Sequence, residues 1–99
     1  MDTQRTPPVT TTIILPQVLR STTGNRKVVT VSGSTIRALI DALDHDYPGI
    51  KFHLCYETGE LRTFVNLFLN GKNIRYLQEL DTPVHENAII HIFPSVAGG

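Results

Sequence analysis

One amphipathic segment in the middle of the chain constrains the fold more than any other feature. Its apolar residues recur at the three- and four-residue spacing of one helix side, and they are Ile36, Leu39, Ile40, Leu43 and Tyr47. Ser32 to Thr35 offer N-cap side chains before the segment, and Pro48-Gly49 ends it. Because the apolar stripe has a single side, the sequence predicts a helix that lies on one face of a sheet.

Two β-branched segments precede this helix. Val9 to Leu15 is rich in β-branched residues, and its apolar Val9, Ile13 and Leu15 share one strand face until Pro16 removes a backbone donor. Arg26 to Val31 has a similar β-branched composition. The stretch Thr22 to Asn25 between them has the composition of a turn. Together the two segments predict an antiparallel hairpin with a long polar connection.

Strand patterns return after the helix, whereas Ile50 to Tyr56 has mixed periodicity and predicts no element. Arg62 to Leu69 reads as a strand, with Val65, Leu67 and Leu69 on one face and Phe64, Asn66 and Phe68 on the other. Asn70-Gly71 is a strong hairpin signal because both residues tolerate positive φ. Lys72 to Tyr76 is therefore predicted to return as a short strand, and Leu77 to Val84 as a loop or single helical turn.

The last strand, Ala88 to Phe93, is apolar nearly throughout. Such a strand is typical of the middle of a sheet, so we expect it beside the first strand with both faces covered. The order β-β-α-β-β-β, a mixed sheet of about five strands with one main helix on one face, predicts an α+β fold of the β-grasp type. We expect this domain to span residues 9–94, after a disordered lead of residues 1–8 and before a flexible tail of residues 95–99.

Composition excludes several function classes. The chain has 99 residues, a formal net charge of +0 and one cysteine, which suits one domain and excludes an intrachain disulfide or a four-thiolate metal site. Balanced charge argues against nucleic-acid binding, which depends on clustered lysine and arginine. We find neither a secretory leader nor an apolar run near the roughly 18 residues of a membrane span, so we expect a cytoplasmic protein.

The sequence closes on two glycines, which favour a flexible end. Glycine loses more backbone entropy on ordering than any other residue, and Pro94 ends the last strand just before Ser95. The five residues from Ser95 to Gly99 can reach about 17 Å when extended. A partner's narrow channel can therefore close around a backbone that carries no side chains. Simple fraying of the chain end is the alternative interpretation.

A carboxylate such as that of Gly99 is a poor electrophile, so a reaction there needs activation. A partner enzyme that uses ATP and magnesium can convert it into an acyl-adenylate, from which a sulfur or amine nucleophile displaces AMP. A sulfur nucleophile would give a thiocarboxylate. The residues that we expect to enter the partner's active site are Val96, Ala97, Gly98 and Gly99. All catalytic groups would then belong to the partner, and this chain would be a carrier and not an enzyme.

Other candidate sites are interpreted as structural. Cys55 lies in an apolar segment and is predicted to be a buried or half-buried thiol and not a persulfide carrier. No metal site is predicted, because the histidines lack ligand spacing; they are His45, His53, His85 and His91. A solvated helix face explains the remaining carboxylates, which are Asp41, Asp44 and Asp46.

Phe64 and Phe68 form an unusual pair on one strand face. Only one of the two apolar rows of that strand can lie under the helix. We therefore predict that Phe64 and Phe68 face outward and form part of a partner-docking surface. In the alternative interpretation, Ile50 to Tyr56 folds over them.

Several segments together resemble one family. They are Val18-Leu19-Arg20, Thr23-Gly24, Arg62 to Asn70, Ile74-Arg75 and Phe93 to Gly99. Combined with the β-grasp order, they resemble the ubiquitin-like sulfur carriers. These include the small subunit of molybdopterin synthase, the thiamine-pathway sulfur carrier and, most similar to this sequence, the cysteine-synthesis sulfur carrier.

The resemblance implies a function and partners. Gly99 would carry a thiocarboxylate made by an E1-like adenylating and sulfur-transferring enzyme that uses ATP and magnesium. The sulfide would enter cysteine, molybdopterin or thiamine-type biosynthesis. The downstream partner would be a cysteine-synthase-like protein, a JAMM-type metalloprotease or a protein of the molybdopterin-synthase type. Two alternatives stay open: a ubiquitin-like modifier joined through Gly99 to lysines of target proteins, and an interaction module whose tail is idle.

Overall fold

A mixed five-stranded sheet carries the helices of this protein on one face. The computed structural model describes residues 10–94. In chain order its strands and helices are β1 (Thr10–Ile14), β2 (Val28–Ser32), α1 (Ile36–Asp46), α2 (Ile50–Leu54), β3 (Val65–Leu69), β4 (Lys72–Asn73) and β5 (Ala88–Pro94). The connections contain short 3₁₀ helices at Gln17–Thr23, Ile74–Tyr76 and Glu79–Asp81.

The strand order is β2-β1-β5-β3-β4. β1 and β5 are parallel, and all other neighbours are antiparallel. β5 is therefore central and lies beside β1, as its apolar sequence predicted. The register pairs Ile13 with Ile90 and Leu67 with Ile92, which aligns apolar residues across the inner face. This topology, with the long helix on one face, confirms the predicted β-grasp fold.

The helix α1 begins and ends where the sequence predicted. The Thr35 hydroxyl oxygen accepts a hydrogen bond from the Ala38 amide at 3.1 Å and caps the first turn. Just before it, Gly33 lies so close to the helix that an added Cβ would be 3.0 Å from the Leu39 nitrogen. The stripe that packs on the sheet consists of Ile36, Leu39, Ile40 and Leu43.

One core fills the space between the helices and the inner sheet face. The strands, the helices and the connection between β1 and β2 all contribute side chains to this core. A single shared core explains why a domain of this size folds as one unit. The core side chains that are at most 2% exposed are Ile13, Leu15, Ile36, Leu39, Leu43, Ile50, Leu54, Leu67, Ile74 and Ile90.

The expectation that both faces of β5 are covered is wrong. Along this strand Ala88, Ile90 and Ile92 are buried, whereas Ile89 and Phe93 are 42% and 49% exposed. Both helices lie on the same side, because α2 packs against α1. The other sheet face is therefore left open by the described part of the chain.

The strand predicted from Lys72 to Tyr76 is shorter than expected. Asn70 and Gly71 do form the predicted hairpin turn, with φ values of 49° and 88°. Of the predicted strand, only Lys72 and Asn73, which form β4, then pair with β3. The Asn73 side chain accepts a hydrogen bond from the Arg75 amide at 2.9 Å, which turns the chain into a 3₁₀ helix.

The helix α2 is an element that the sequence pattern did not predict. Its first turn is held by the Asp44 carboxylate, which accepts hydrogen bonds from the Gly49 amide at 3.1 Å and the Lys51 amide at 3.0 Å. Gly49 has a φ of 102°, a conformation that side-chain-bearing residues rarely adopt. Across residues 10–94, neither this helix nor α1 is long and apolar enough to cross a membrane.

Candidate functional site

The candidate site is the end of the sheet at which β5 leads into residues 95–99. Pro94 is the last residue of β5, and its Cα partner is Val65 at the start of β3. We call this point the tail root. The predicted reactive residue and its tail lie outside the described residues, so their roles stay predictions; they are Val96, Ala97, Gly98 and Gly99.

The open face of the sheet borders the tail root. Its side chains are those of Thr10, Thr12, Ile14, Val28, Thr30, Ser32, Asn66, Phe68, Ile89, His91 and Phe93. Among these described positions there is no lysine, arginine, aspartate or glutamate. The open face is therefore apolar to neutral in character, in contrast to the charged helices on the other side. A surface of this kind is typical of protein interfaces.

An aromatic cluster forms the part of the open face nearest the tail root. The ring of Phe93 makes an edge-to-face contact with Phe68 at a centroid distance of 5.5 Å. The His91 ring stacks on Phe93 at 5.7 Å, with an angle of 2° between the ring planes. Since these contacts fix the rings before any partner binds, the cluster is a preformed surface.

The structure separates the two predicted docking residues. Phe68 lies half-buried on the open face, whereas Phe64 is 57% exposed in a turn before β3. This turn replaces the first part of the predicted strand, because the Val65 amide donates a 3.0 Å hydrogen bond to the Arg62 carbonyl. The alternative in which residues 50–56 cover both phenylalanines is wrong, because this segment packs against α1. A docking role for either residue stays a prediction.

Cys55 is a buried thiol, as predicted. It is 3% exposed, and burial raises the pKa of its thiol above the ordinary value. A persulfide carrier needs an accessible thiolate, which this environment disfavours. The geometry therefore leaves Cys55 in the core and outside the candidate site.

Two of the three helix carboxylates, Asp41 and Asp44, have structural contacts. Asp41 receives a 2.6 Å hydrogen bond from the Lys51 ammonium, which raises the pKa of Lys51, and Asp44 caps α2. Within residues 10–94 no cluster of three or more histidine, cysteine, aspartate or glutamate side chains could hold a metal ion.

Most of the aromatic cluster was not predicted from the sequence. Its signal is the alternation within β5, where Ile89, His91 and Phe93 share one side. A histidine in an otherwise apolar strand indicates that one side of the strand faces solvent. This indication is weak here, because a run of apolar residues also fits a strand that is covered on both faces.

Known proteins resemble this chain in sequence and in fold. The chain matches the model of the ThiS family over residues 13–99. It is 37% identical over 90 residues to the sulfur carrier protein CysO of Mycobacterium tuberculosis, covering 89% of this chain and 97% of the relative. It is also 30% identical over 66 residues to the small archaeal modifier protein 3 of Haloferax volcanii, covering 67% of this chain and 71% of the relative.

The fold comparison agrees with the sequence comparison. The crystal structure of the BexX/CysO complex of Amycolatopsis orientalis contains a chain that superposes with a TM-score of 0.84 at 34% identity. The match covers 90% of this chain and 99% of that one. The protein described here therefore belongs to the ThiS family, whose sulfur-carrier relatives share its ubiquitin-like β-grasp fold.

Proposed function

We propose that this protein is a sulfur carrier whose Gly99 is adenylated and then converted into a thiocarboxylate by an E1-like partner. The observation that carries the proposal is the 37% identity to the sulfur carrier protein CysO, which extends over 97% of that relative. The carrier would act as a protein cosubstrate and not as an enzyme. Because the activation consumes ATP, we propose that it takes place in the cytoplasm.

The position of β5 supports this role. β5 is the central strand, and it pairs with β1 as far as His91 and with β3 as far as Pro94, so the tail root is anchored to the sheet through β3. The five residues beyond Pro94 can extend by about 17 Å. A partner can therefore hold the folded domain outside its active site while Gly99 reaches the reacting groups.

The proposed chemistry takes place at the carboxylate of Gly99. One carboxylate oxygen attacks the α-phosphorus of ATP, and magnesium pyrophosphate leaves. A sulfur nucleophile at the oxidation level of hydrosulfide then attacks the acyl carbon, and AMP leaves with the carbon–oxygen bond electrons. Each step uses groups of the partner, and this chain supplies the carboxylate and its delivery.

The thiocarboxylate would donate its sulfur to a second partner. By analogy with the family, we propose cysteine biosynthesis, with molybdopterin or thiamine-type pathways as the other possibilities. The corresponding partners are a cysteine-synthase-like protein with a JAMM-type metalloprotease that releases the product, or a protein of the molybdopterin-synthase type. A relative's complex of CysO with BexX supports the general idea that such carriers bind partner proteins.

The open face is the proposed docking surface for the activating partner. Phe93 and Phe68 offer a rigid aromatic contact on this face, and Phe64 adds exposed apolar area in the turn at the tail root. An uncharged surface can be buried without the cost of desolvating ions. Docking of the domain and insertion of the tail would then occur together.

A second candidate function is protein modification through Gly99. It is favoured by the 30% identity to the small archaeal modifier protein 3. The activation would be the same, but a lysine amine of a target protein would attack the acyl-adenylate and form an amide. The two functions differ only in the nucleophile.

Intact-mass spectrometry distinguishes these functions. The full chain is incubated with the adenylating enzyme of its own organism, ATP, magnesium and sulfide. Replacement of one oxygen by sulfur at the C-terminus supports the carrier, whereas conjugates to other proteins in a cell extract support the modifier. A chain with one alanine added after Gly99 is the matched control and should stay unmodified. An unmodified wild-type chain would refute both functions.

A further inference from the structure

A rigid turn lies next to the tail root. The hydrogen bond from the Val65 amide to the Arg62 carbonyl closes this turn and keeps their Cα atoms within about 7 Å. Val65 pairs with Pro94, and antiparallel partners lie about 5 Å apart. The backbone of Arg62 is therefore within about 12 Å of the tail root.

A residue of the 3₁₀ helix that follows β4 holds this turn in place. A terminal nitrogen of Arg75, Nη2, donates hydrogen bonds to the Arg62 carbonyl at 2.9 Å and to the Val65 carbonyl at 2.8 Å. The Arg62 amide in turn donates to the Leu54 carbonyl at 2.9 Å. These bonds fix the backbone of an irregular segment whose position would otherwise vary.

The Arg62 side chain is also fixed in the free protein. Its guanidinium carbon lies 5.3 Å from the ring centroid of Phe52 and 5.0 Å from that of Tyr56. Its Nε donates a 3.0 Å hydrogen bond to the Phe52 carbonyl. The Tyr56 hydroxyl is itself hydrogen-bonded to the Thr63 side chain at 3.1 Å. Little rotamer freedom is therefore left to lose when Arg62 binds a partner.

The charge of Arg62 has no counter-ion in the described part of the chain. The ion pairs there join Arg37 to Asp81 and Lys51 to Asp41. The hydrogen bond that Arg62 makes through its side chain uses Nε, which leaves both terminal nitrogens for another acceptor. A guanidinium presents these donors as a planar fork that matches a carboxylate.

We propose that Arg62 is a docking cation that pairs with a carboxylate on the partner that adenylates Gly99, at the mouth of the channel that receives the tail. This inference rests on the proposed function. The extended tail carries Gly99 about 17 Å beyond Pro94, so Arg62 contacts the rim of the channel and not the reacting atoms. The described positions of the open face carry no lysine, arginine or carboxylate and contribute apolar area, whereas the fixed charge of Arg62 sets the orientation of the complex.

Pyrophosphate exchange with the adenylating enzyme of the same organism tests the proposal. The full wild-type chain is compared with Arg62→Gln, which removes the charge, and with Lys72→Gln. Lys72 is the matched control, because it pairs with Leu69 at the other end of β3. We expect Arg62→Gln to raise the KM for the carrier about tenfold or more, the effect of losing a charged hydrogen bond. The kcat should stay within about twofold, and Lys72→Gln should match the wild type.

Salt dependence and a conservative variant separate docking from a structural role. The wild-type KM should rise with salt, and this slope should be flatter for Arg62→Gln. Arg62→Lys keeps the charge but not the fork, so we expect an intermediate KM with the wild-type slope. Circular dichroism melting shows that each variant is folded at the assay temperature.

Several results would overturn the proposal. An unchanged KM or salt slope for Arg62→Gln would show that no ion pair forms with the partner, and a lower KM would show that Arg62 instead holds the chain's own carboxylate. A fall in kcat alone would assign Arg62 to the chemistry. If the wild-type chain supports no exchange at all, the proposed function itself fails, which is a different result from exchange that is insensitive to Arg62.

Discussion

Replacement of Phe93 by alanine tests the open face as a docking surface. Phe93 is 49% exposed, and a phenylalanine buries about 150–250 Å² when fully covered, so roughly 100 Å² is left for a partner to bury. At about 25 cal/mol per Å², this area stabilises a complex by roughly 2.5 kcal/mol. Because alanine keeps a small part of that contact, we expect Phe93→Ala to weaken binding by about 2 kcal/mol, or roughly 30-fold.

Isothermal titration of the adenylating enzyme with each variant measures this change. Tyr76→Ala is the control, because Tyr76 is 87% exposed but lies in a 3₁₀ helix outside the open face. Its affinity should equal that of the wild type. Loss of the buried half of the ring, together with its 5.5 Å contact with Phe68, lowers stability by roughly 3 kcal/mol, so circular dichroism melting must show that the variant is folded at the assay temperature. An affinity for Phe93→Ala within twofold of the wild type would show that the partner binds another surface.

Two further predictions concern the folded domain. Leu43→Ala should lower the free energy of unfolding by about 2–5 kcal/mol in urea titrations, because Leu43 is 0% exposed on the buried side of α1; a loss below 1 kcal/mol would contradict this packing. Burial raises the pKa of Cys55 above its ordinary 9.0, so the folded state keeps a proton that the unfolded state releases. The contribution of Cys55 to the free energy of unfolding is therefore fully present at lower pH and declines as pH rises above 9.0. Cys55→Val should show less of this decline, and an identical pH profile would exclude the effect.

The sequence predicted those parts of the fold that depend on short-range patterns. The stripe of α1 and the Asn70-Gly71 turn are examples, because helical period and positive φ leave direct marks on a few neighbouring residues. The helix α2 left no such mark. It depends on the Asp44 carboxylate, which comes from the preceding helix and satisfies amides beyond the chain reversal.

The candidate site was predicted in part for the same reason. Phe68 was recognised by alternation, but Phe93 and His91 were not, since an apolar run does not reveal which side a helix covers. The turn at Arg62 could not be predicted, because Arg75 fixes it through hydrogen bonds that span 13 and 10 residues of sequence. Contacts of this range depend on the completed fold and leave no local periodicity.

The distribution of charge connects the fold with the proposed function. Carboxylates on α1 are engaged by Lys51 and by the amides of α2, whereas the open face has no lysine, arginine or carboxylate in the described chain. Under the proposed function, the activating enzyme and the sulfur acceptor must each reach the same tail from the same tail root. They therefore bind in turn, and neither can bind so tightly that it prevents exchange. A neutral face supports such moderate binding to more than one partner, and the fixed charge of Arg62 gives the complex its orientation without adding a large buried area.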